Sequence, residues 1–438
     1  MRMRVGALIL VVLSAACGSG STGGSTSSSS SGDVVDAGGG TSSSSSGGNT
    51  SDAGPRPENP TSQQELESVT TTLASDDMNG RNEGTEGAGA ARAYIVNYMM
   101  RCSLQPAGTE GYEQLVETGV GINLLGRIEG TDAQLRDRTI ILSAHYDHLG
   151  SCSGDICNGA NDNAAGVATI LAIGCELAAN PPRRSVLIAA WDAEEPPTFL
   201  SAEMGSEFYA AHPTIPLEQT DVAIVLDLVG GELWPGYDGH FVLGAESSAE
   251  VKQAVTSVTA PAGIAVYRTG LHMVERTRTG LQPWSDYDPF RDRDIPVLFL
   301  SNGQNKLYHT PDDEVETLNF VKVAAQTQYL LDIVQYLGDS ETTPTFVDNG
   351  SDYAGDVENI QLVLQDALAA GGLVDSLNLS STSESTLQAD LTEVNDIKSR
   401  MDGGATPSAS DVSALRRATQ HIMCLAGSTY SEATCSLF

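Results

Sequence analysis

The chain has 438 residues, of which 40% are hydrophobic, so it is long enough for one large globular domain with additional segments. Its formal net charge of -34 argues against binding nucleic acid or an anionic membrane surface by electrostatic attraction, and we expect no nucleic-acid partner. The same acidity favours solubility but does not identify a substrate.

Residues 1–17 have the features of an export signal. Arg2 and Arg4 precede the apolar run 5–13, which is too short to span a bilayer as a helix, and small residues then lead to Cys17. The stretch LSAAC resembles a bacterial lipoprotein signal, whose cysteine becomes lipidated, although Ser14 stands where leucine is preferred. We therefore predict a lipid anchor in the bacterial cell envelope, at the outer membrane or in the periplasm, as the only membrane contact. Cleavage nearby without lipidation, which would yield a secreted protein, is the alternative.

The rest of the chain divides into three parts by composition. Residues 18–61 are mostly Ser, Gly and Thr, which cannot offset chain entropy by burial, so we predict a disordered linker. Residues 62–340 alternate apolar runs with helical patterns, beginning with a helix capped by Thr61 or Ser62. This alternation predicts an α/β fold with a mixed, mostly parallel central sheet and helices on both faces. Residues 341–438 carry amphipathic patterns that predict a C-terminal helical appendage.

The cysteines agree with export to an oxidising compartment. Two pairs are close in sequence and are candidate disulfides, 152/157 and 424/435. Zinc binding by either pair is the weaker interpretation, because neither brings four ligands with suitable spacing. Cys175 lies in an apolar helical stretch, so we expect a small buried core residue there, and the sequence leaves Cys102 undecided.

Five motifs rich in acidic residues and histidine follow in order along residues 62–340. They read SAHYDHLG (143–150), GANDNAAG (159–166), AAWDAEE (189–195), VLDLVG (225–230) and LYHTPDD (307–313). Each ends or follows an apolar run typical of a strand, so their polar residues are expected to meet where the strands end. Two imidazoles and three carboxylates suit a pair of zinc ions. Asp162 would bridge the ions, with His145 and Asp227 completing one site and Glu195 and His309 the other.

Two further acidic residues have predicted roles beside these ligands. Asp147 lies two residues after His145 and can accept the ring N–H that a metal-bound histidine usually donates. Glu194 adjoins a ligand without being needed as one, so it is placed to act as a general base. The remaining histidines are expected not to be ligands, although His148 could lie near the entrance of the site: 148, 212, 240, 272 and 421.

The ordered motifs resemble peptidase family M28, whose members are zinc-dependent exopeptidases and mostly aminopeptidases. The resemblance covers roughly residues 62–340 and extends to GRNEGTEG (80–87), GINLLGRIEG (121–130) and SDYDPF (285–290). It implies a zinc exopeptidase-like fold, the metal ligands given above, Glu194 as the general base and Asp147 as the orienting partner of His145. It also implies a cis peptide bond after Asp162.

Two features depart from the family pattern. The segment PPTFLSAEM (196–204) intervenes before a Gly-rich helix start, and Tyr287 stands where a histidine is common. Both are expected at the rim of the site, where they would affect substrate choice more than catalysis.

Three functions are compatible with this resemblance. The leading one is a two-zinc aminopeptidase that hydrolyses N-terminal residues from peptides with a free N-terminus, through a metal-activated bridging water and a glutamate base. The alternative is a single-zinc glutaminyl cyclase of the same fold, favoured by the inserted segment and VLDLVG. Asn163, where cyclases tend to carry serine, and Tyr308, where they tend to carry tryptophan, argue against it. The third, a catalytically silent binding protein, conflicts with the retained ligands and base.

Overall fold

A computed structural model describes residues 54–116, 119–277 and 280–435 of the chain. The predicted signal with Cys17, and residues 18–53 of the predicted linker, lie outside these ranges. Residues 54–61 contain no helix or strand, but Pro57 and Pro60 are buried. The guanidinium of Arg56 also donates to the carbonyl of Cys175 at 3.1 Å. The packed part of the chain therefore begins before the predicted boundary at residue 62.

The strands and helices of the described residues alternate through most of the chain. The strands are β1 (Gln105–Pro106), β2 (Glu113–Leu115), β3 (Ile122–Ile128), β4 (Thr139–His145), β5 (Gly150–Cys152), β6 (Asp155–Cys157), β7 (Ser185–Trp191), β8 (Thr220–Leu226), β9 (Gly239–Leu243), β10 (Ala265–Thr269), β11 (Arg276–Thr277), β12 (Gly280–Leu281) and β13 (Val297–Ser301). The helices are α1 (Gln63–Leu73), α2 (Glu86–Arg101), α3 (Ala165–Ala179), α4 (Gly205–Ala211), α5 (Ala249–Ser257), α6 (Leu271–Val274), α7 (Asp288–Arg291), α8 (Phe320–Asp339), α9 (Tyr353–Leu368), α10 (Leu373–Ser376), α11 (Ser381–Asp402), α12 (Ala409–Ala426) and α13 (Glu432–Cys435). Of the two predicted caps of α1, Thr61 and Ser62, the structure has Ser62, whose hydroxyl accepts from the amide of Glu65 at 3.3 Å.

A nine-stranded sheet in the order β1-β3-β7-β4-β8-β13-β9-β10, with β2 on β3, forms the centre of the fold. Strands β7, β4, β8 and β13 run parallel, and β3 and β9 flank this block antiparallel to it. Both faces are covered, as the alternation along β4 demonstrates. Ile140 and Leu142 pack into a core with α1, α3 and α8, whereas Ile141 packs into a separate core with Trp191 and Phe290. The predicted mixed sheet with helices on both faces is confirmed.

Helix α3 is the central helix of the larger core. The segment Ala160–Ala179 is long and apolar enough to cross a membrane, but 83% of its most apolar window is buried within the protein. Burial on every side explains its hydrophobicity without any membrane.

Helices α9, α11 and α12 form the predicted C-terminal appendage. Leu364, Leu387 and Leu415 are buried between them, in a core that also contains Trp234 and Tyr267 from the sheet domain. The appendage therefore shares its hydrophobic core with the edge of the sheet that ends in β10.

Within the described ranges, six cysteines form three disulfides. The predicted pairs Cys152–Cys157 and Cys424–Cys435 are both present. Cys175 is buried as expected, but it is not a simple core thiol, because it bonds to Cys102 with a Cα–Cα distance of 4.9 Å. The physical reason is that the end of α2 packs against α3. That contact joins residues 73 positions apart, so it left no signal in the local sequence.

Candidate metal centre

The predicted ligands converge at the carboxyl ends of three adjacent parallel strands. His145 is the last residue of β4, Asp227 directly follows β8, and Glu195 lies shortly after β7. Asp162 precedes α3, and His309 lies in the loop after β13. Adjacent parallel strands end at the same edge of a sheet, which is why motifs so distant in sequence meet there.

The five side chains form two groups that share Asp162. The Nε2 atom of His145 lies 3.3 Å from Oδ1 of Asp162 and 3.5 Å from Oδ1 of Asp227. The Nε2 atom of His309 lies 3.2 Å from Oδ2 of Asp162 and 3.2 Å from Oε2 of Glu195. Each oxygen of Asp162 thus faces a different histidine, as a bridging carboxylate would.

Several of the converging atoms have no hydrogen-bond partner although they are buried. They are Nε2 of His145, Nε2 of His309, Oδ2 of Asp162 and Oδ1 of Asp227. A buried polar atom without a partner is costly, and here the unpaired atoms face one another. Imidazole nitrogens and carboxylate oxygens are ligands of Zn²⁺, so this donor set fits the metal that the sequence predicted.

The electrostatics of the site show the same demand for positive charge. Burial opposes charge on His145, but Glu194, Asp147, Asp162 and Asp227 outweigh it and raise its pKa well above the ordinary value. Burial likewise opposes charge on His309, but Asp162 and Glu195 raise its pKa to about 10. The carboxylates around both imidazoles therefore favour positive charge at this position, which a bound cation would supply.

Glu194 is buried and faces this centre without joining either group. Its Oε2 atom lies 3.9 Å from Nε2 of His145. Burial, reinforced by Asp227, Asp286 and Glu195, raises its pKa well above the ordinary range, although His145 acts in the opposite direction. A raised pKa is what a carboxylate needs to take up a proton and release it again near neutral pH.

Asp147 contacts both His145 and the turn that carries Glu194 and Glu195. The ring N–H of His145 points to the backbone carbonyl of Asp147 at 3.2 Å, whereas the carboxylate Oδ1 is 3.6 Å away. The two carboxylate oxygens accept instead from the backbone amides of Glu194 at 3.2 Å and Glu195 at 3.0 Å. Asp147 thus fixes the turn that carries the base and a ligand.

The loop that contains Asp162 is held from two sides. Asp313, in the LYHTPDD motif, accepts from the backbone amides of Asn161 at 2.8 Å and Asp162 at 3.1 Å. The Asp162–Asn163 peptide bond is cis, as the family resemblance implied. The side-chain amide of Asn163 donates to the carbonyl of Leu226 at 2.8 Å, which connects this loop to the end of β8.

Arg81, in the GRNEGTEG motif, is a fully buried residue whose importance the sequence did not reveal. Its guanidinium donates to four carbonyls, those of Tyr146 at 2.8 Å, Leu73 at 2.6 Å, Asn158 at 2.6 Å and Gly159 at 3.0 Å. It therefore joins the end of β4 to the loop before Asp162. Burial lowers its pKa to about 10, and Asp313 and Asp162 partly oppose that shift.

His148 is fully buried within the site, whereas the sequence suggested a position near the entrance. Its Nδ1 atom lies 2.8 Å from Oε1 of Glu195 and 3.8 Å from Oδ2 of Asp162. With these two residues it forms a second group whose spacing could hold a metal ion. The signal was present in the sequence, because His148 directly follows Asp147 at a strand end.

The other histidines expected not to be ligands lie away from these groups. His240 contacts Asn302 at 3.1 Å, and His421 contacts Asp390 at 2.6 Å. His272 lies 3.1 Å from Asp356, and His212 packs beside the ring of Phe208.

The SDYDPF motif places a buried acidic residue, Asp286, near the site, and its residues do not form the rim. Asp286 is fully buried, and burial, with Asp147 and Asp227 nearby, raises its pKa to about 7 against the opposing effect of His145. Tyr287, expected at the rim, is instead buried in the core, where its hydroxyl donates to Glu275 at 2.7 Å. The expectation was wrong because a tyrosine with a buried acceptor can be accommodated inside the fold. The segment 196–204 does have exposed residues, including Leu200.

Comparisons with known proteins agree with this arrangement. Residues 123–334 match the model of peptidase family M28. The uncharacterized protein YfbL of Escherichia coli K12 is 30% identical over 213 residues, 42% of this chain and 62% of YfbL. The vacuolar membrane protease of Candida albicans is 25% identical over 236 residues, 52% of this chain and 25% of that protein. The chain thus spans less than two thirds of the length of either relative.

Among solved structures, the LapA aminopeptidase of Legionella pneumophila aligns with a TM-score of 0.51 at 17% identity, over 64% of this chain and 72% of LapA. At that identity the likeness concerns the fold alone. The resemblance and the fold predicted from the motifs are confirmed.

Proposed function

We propose that the chain is a zinc aminopeptidase, because residues 123–334 match the model of peptidase family M28. It would hydrolyse the first peptide bond of substrates with a free N-terminus. The observation that carries this proposal is the set of buried, unpaired nitrogen and oxygen atoms that converge on Asp162 with the carboxylate of Glu194 beside them. A binding protein without catalysis would have no need for a buried acid with a raised pKa there.

We assign the ligands to two zinc ions. Asp162 would contact both ions, His145 and Asp227 would complete one site, and Glu195 and His309 the other. The support is the set of distances between ligand atoms. Nε2 of His145 lies 3.3 Å from Asp162 and 3.5 Å from Asp227, and Nε2 of His309 lies 3.2 Å from both Asp162 and Glu195.

The reaction then follows from the placement of the acids. Bound zinc would supply Lewis acidity toward the scissile carbonyl and would make a water acidic enough to attack near neutral pH. Glu194 takes the proton from the attacking water and delivers it to the leaving amine. Asp147 holds the Glu194–Glu195 turn through its two amide contacts, which keeps the base oriented toward the reacting atoms. The surrounding carboxylates favour the ammonium group of a free N-terminus.

The test combines zinc counting with a panel of aminoacyl, glutaminyl and N-acetylated peptides. Two zincs per chain, released amino acids and no cleavage of acetylated peptides are expected. One zinc with pyroglutamyl product would establish the glutaminyl cyclase alternative, which the exposed segment 196–204 after Glu195 favours. The His309→Ala variant should lose zinc before it loses folding, because that side chain lies on the partly exposed side of the site.

Export and lipidation at Cys17 remain part of the proposal. The expected result is an N-terminal peptide that starts at Cys17 and carries a lipid, detected by mass spectrometry of the protein made in a bacterial host. An unmodified N-terminus beyond Cys17 would instead indicate a secreted protein.

A further inference from the structure

The loop that carries His309 lacks regular structure of its own. Residues 302–310 form no helix or strand. His309 has a φ of 58°, in the left-handed region that residues with a Cβ adopt uncommonly. Its ring stacks on that of Tyr308 with a centroid distance of 3.7 Å. The position of this ligand therefore depends on what holds the neighbouring backbone.

The appendage contacts this loop at two points. The ammonium group of Lys306 donates to the carbonyl of Gly427, and the hydroxyl of Ser428 donates to the carbonyl of Tyr308 at 3.1 Å. Both contacts come from the segment between Cys424 and Cys435, which a disulfide closes onto the end of α12. The contacted residues, Lys306 and Tyr308, lie three positions and one position before His309 in the chain.

The appendage is also anchored to the central sheet at its β10 edge. In α9, Asp356 accepts from the amide of Gly270 at 2.7 Å, and Asn359 accepts from the amide of Arg268 at 3.0 Å. In α12, Arg416 donates to the carbonyl of His272 at 2.8 Å. With the shared hydrophobic core, these contacts make the appendage a rigid connection between the β10 edge and the His309 loop.

We propose that the helical appendage positions the last ligand of the metal centre, with Lys306 and Ser428 as the positioning residues. The inference rests on the proposed function, because the role of His309 as a ligand belongs to it. It gives a task to residues 341–438, which lie outside the region that matches the family model. It also explains why a disulfide closes the short segment that contains Ser428: the closed segment presents its contacts in one geometry.

The experiment compares full-length zinc-loaded variants by hydrogen exchange and by the rate of zinc transfer to a chelator. The test variant is Lys306→Met with Ser428→Ala. The matched control is Lys398→Met with Ser413→Ala, which makes the same chemical changes in α11 and α12, where these side chains bond to Asp402 and to the carbonyl of Ala409. A neutral hydrogen bond such as that of Ser428 changes an equilibrium roughly 2- to 12-fold, and the test variant also removes the charged contact of Lys306, so it should release zinc at least about 10-fold faster. The control should match the unmodified protein.

A second readout separates positioning from general stability. Amides of residues 307–310 should exchange faster in the test variant while the thermal unfolding temperature stays within a few degrees of the control. The conservative variant Lys306→Arg with Ser428→Thr should restore slow exchange. Unchanged exchange and zinc release in the test variant would overturn the proposal, as would equal losses in test and control.

The hydrogen-exchange result also distinguishes this proposal from the proposed function. If the unmodified protein bound no zinc, the peptidase assignment would fail, yet exchange at residues 307–310 would still report whether the appendage holds the loop. Faster loop exchange without faster zinc release from a zinc-loaded protein would refute the ligand-positioning role alone.

Discussion

Replacing Glu194 by glutamine removes the ability of this side chain to accept a proton while keeping its size. Glu194 is buried, and its Oε2 atom lies 3.9 Å from Nε2 of His145, too far for a direct bond. The zinc ligands should therefore keep their positions in the variant. Zinc content near that of the unmodified protein is the first expected result.

The loss of turnover should be large. A positioned general base contributes about 10²- to 10⁴-fold to a rate, which corresponds to roughly 3 to 5 kcal/mol of activation free energy. Glu194 belongs in the upper part of that range, because it is buried and no water-exposed acid can readily replace it. We expect kcat to fall about 10³- to 10⁴-fold with little change in KM.

The variant should also change the pH dependence of stability in the metal-free protein. Burial raises the pKa of Glu194, with added effects of Asp227, Asp286 and Glu195, so the folded state holds a proton that the unfolded state releases. Its contribution is fully present below the unfolded pKa of about 4.3 and is lost as pH rises toward the folded pKa. Glutamine cannot ionise, so the loss of unfolding free energy over that window should be smaller in the variant.

Steady-state kinetics on an unblocked peptide, zinc analysis and urea unfolding across pH provide the measurements. Glu203→Gln is the matched control, since it makes the same chemical change on the partly exposed segment after the site. If Glu194→Gln retained more than about a tenth of the activity with full zinc, the role of Glu194 as base would be refuted. Loss of zinc in proportion to activity would instead make it a ligand.

Two other predictions test the supports of the site and of the fold. Asp147→Asn should lower zinc affinity about 10- to 100-fold in a chelator competition. The asparagine side chain has a single acceptor oxygen, so it can no longer accept from the backbone amides of both Glu194 and Glu195. Unchanged affinity would show that this turn keeps its conformation without Asp147. Cys102→Ala with Cys175→Ala, which opens a span of 73 residues, should cost about 4 kcal/mol of unfolding free energy in denaturant titrations. Removing the Cys424–Cys435 disulfide, which spans 11 residues, should cost about 3 kcal/mol of unfolding free energy. The longer span should cost more, because its disulfide restricts the unfolded chain more strongly; a larger loss for the shorter span would contradict this reasoning.

The family resemblance and the identity of the candidate ligands could be inferred from sequence because both depend on local patterns. Apolar runs of strand length end at His145 and just before Asp227. Since adjacent parallel strands end at the same edge of a sheet, this was enough to predict that the two side chains lie close together. Side-chain chemistry then limited the metal, since two imidazoles and three carboxylates suit zinc. The same local logic predicted a helix cap at Thr61 or Ser62, of which the structure has Ser62, and the two disulfides with short spans.

Only the tertiary structure decided the features that depend on contacts between distant segments. The Cys102–Cys175 bond, the four carbonyls around Arg81 and the burial of Tyr287 arise from packing between elements far apart in the chain. The contact of Ser428 with the backbone before His309 joins residues 120 positions apart. Periodicity and motif spacing describe one segment at a time. Which segments pack together is set by the shape of the whole core, so the sequence by itself determined the candidate ligands and the structure determined what holds them.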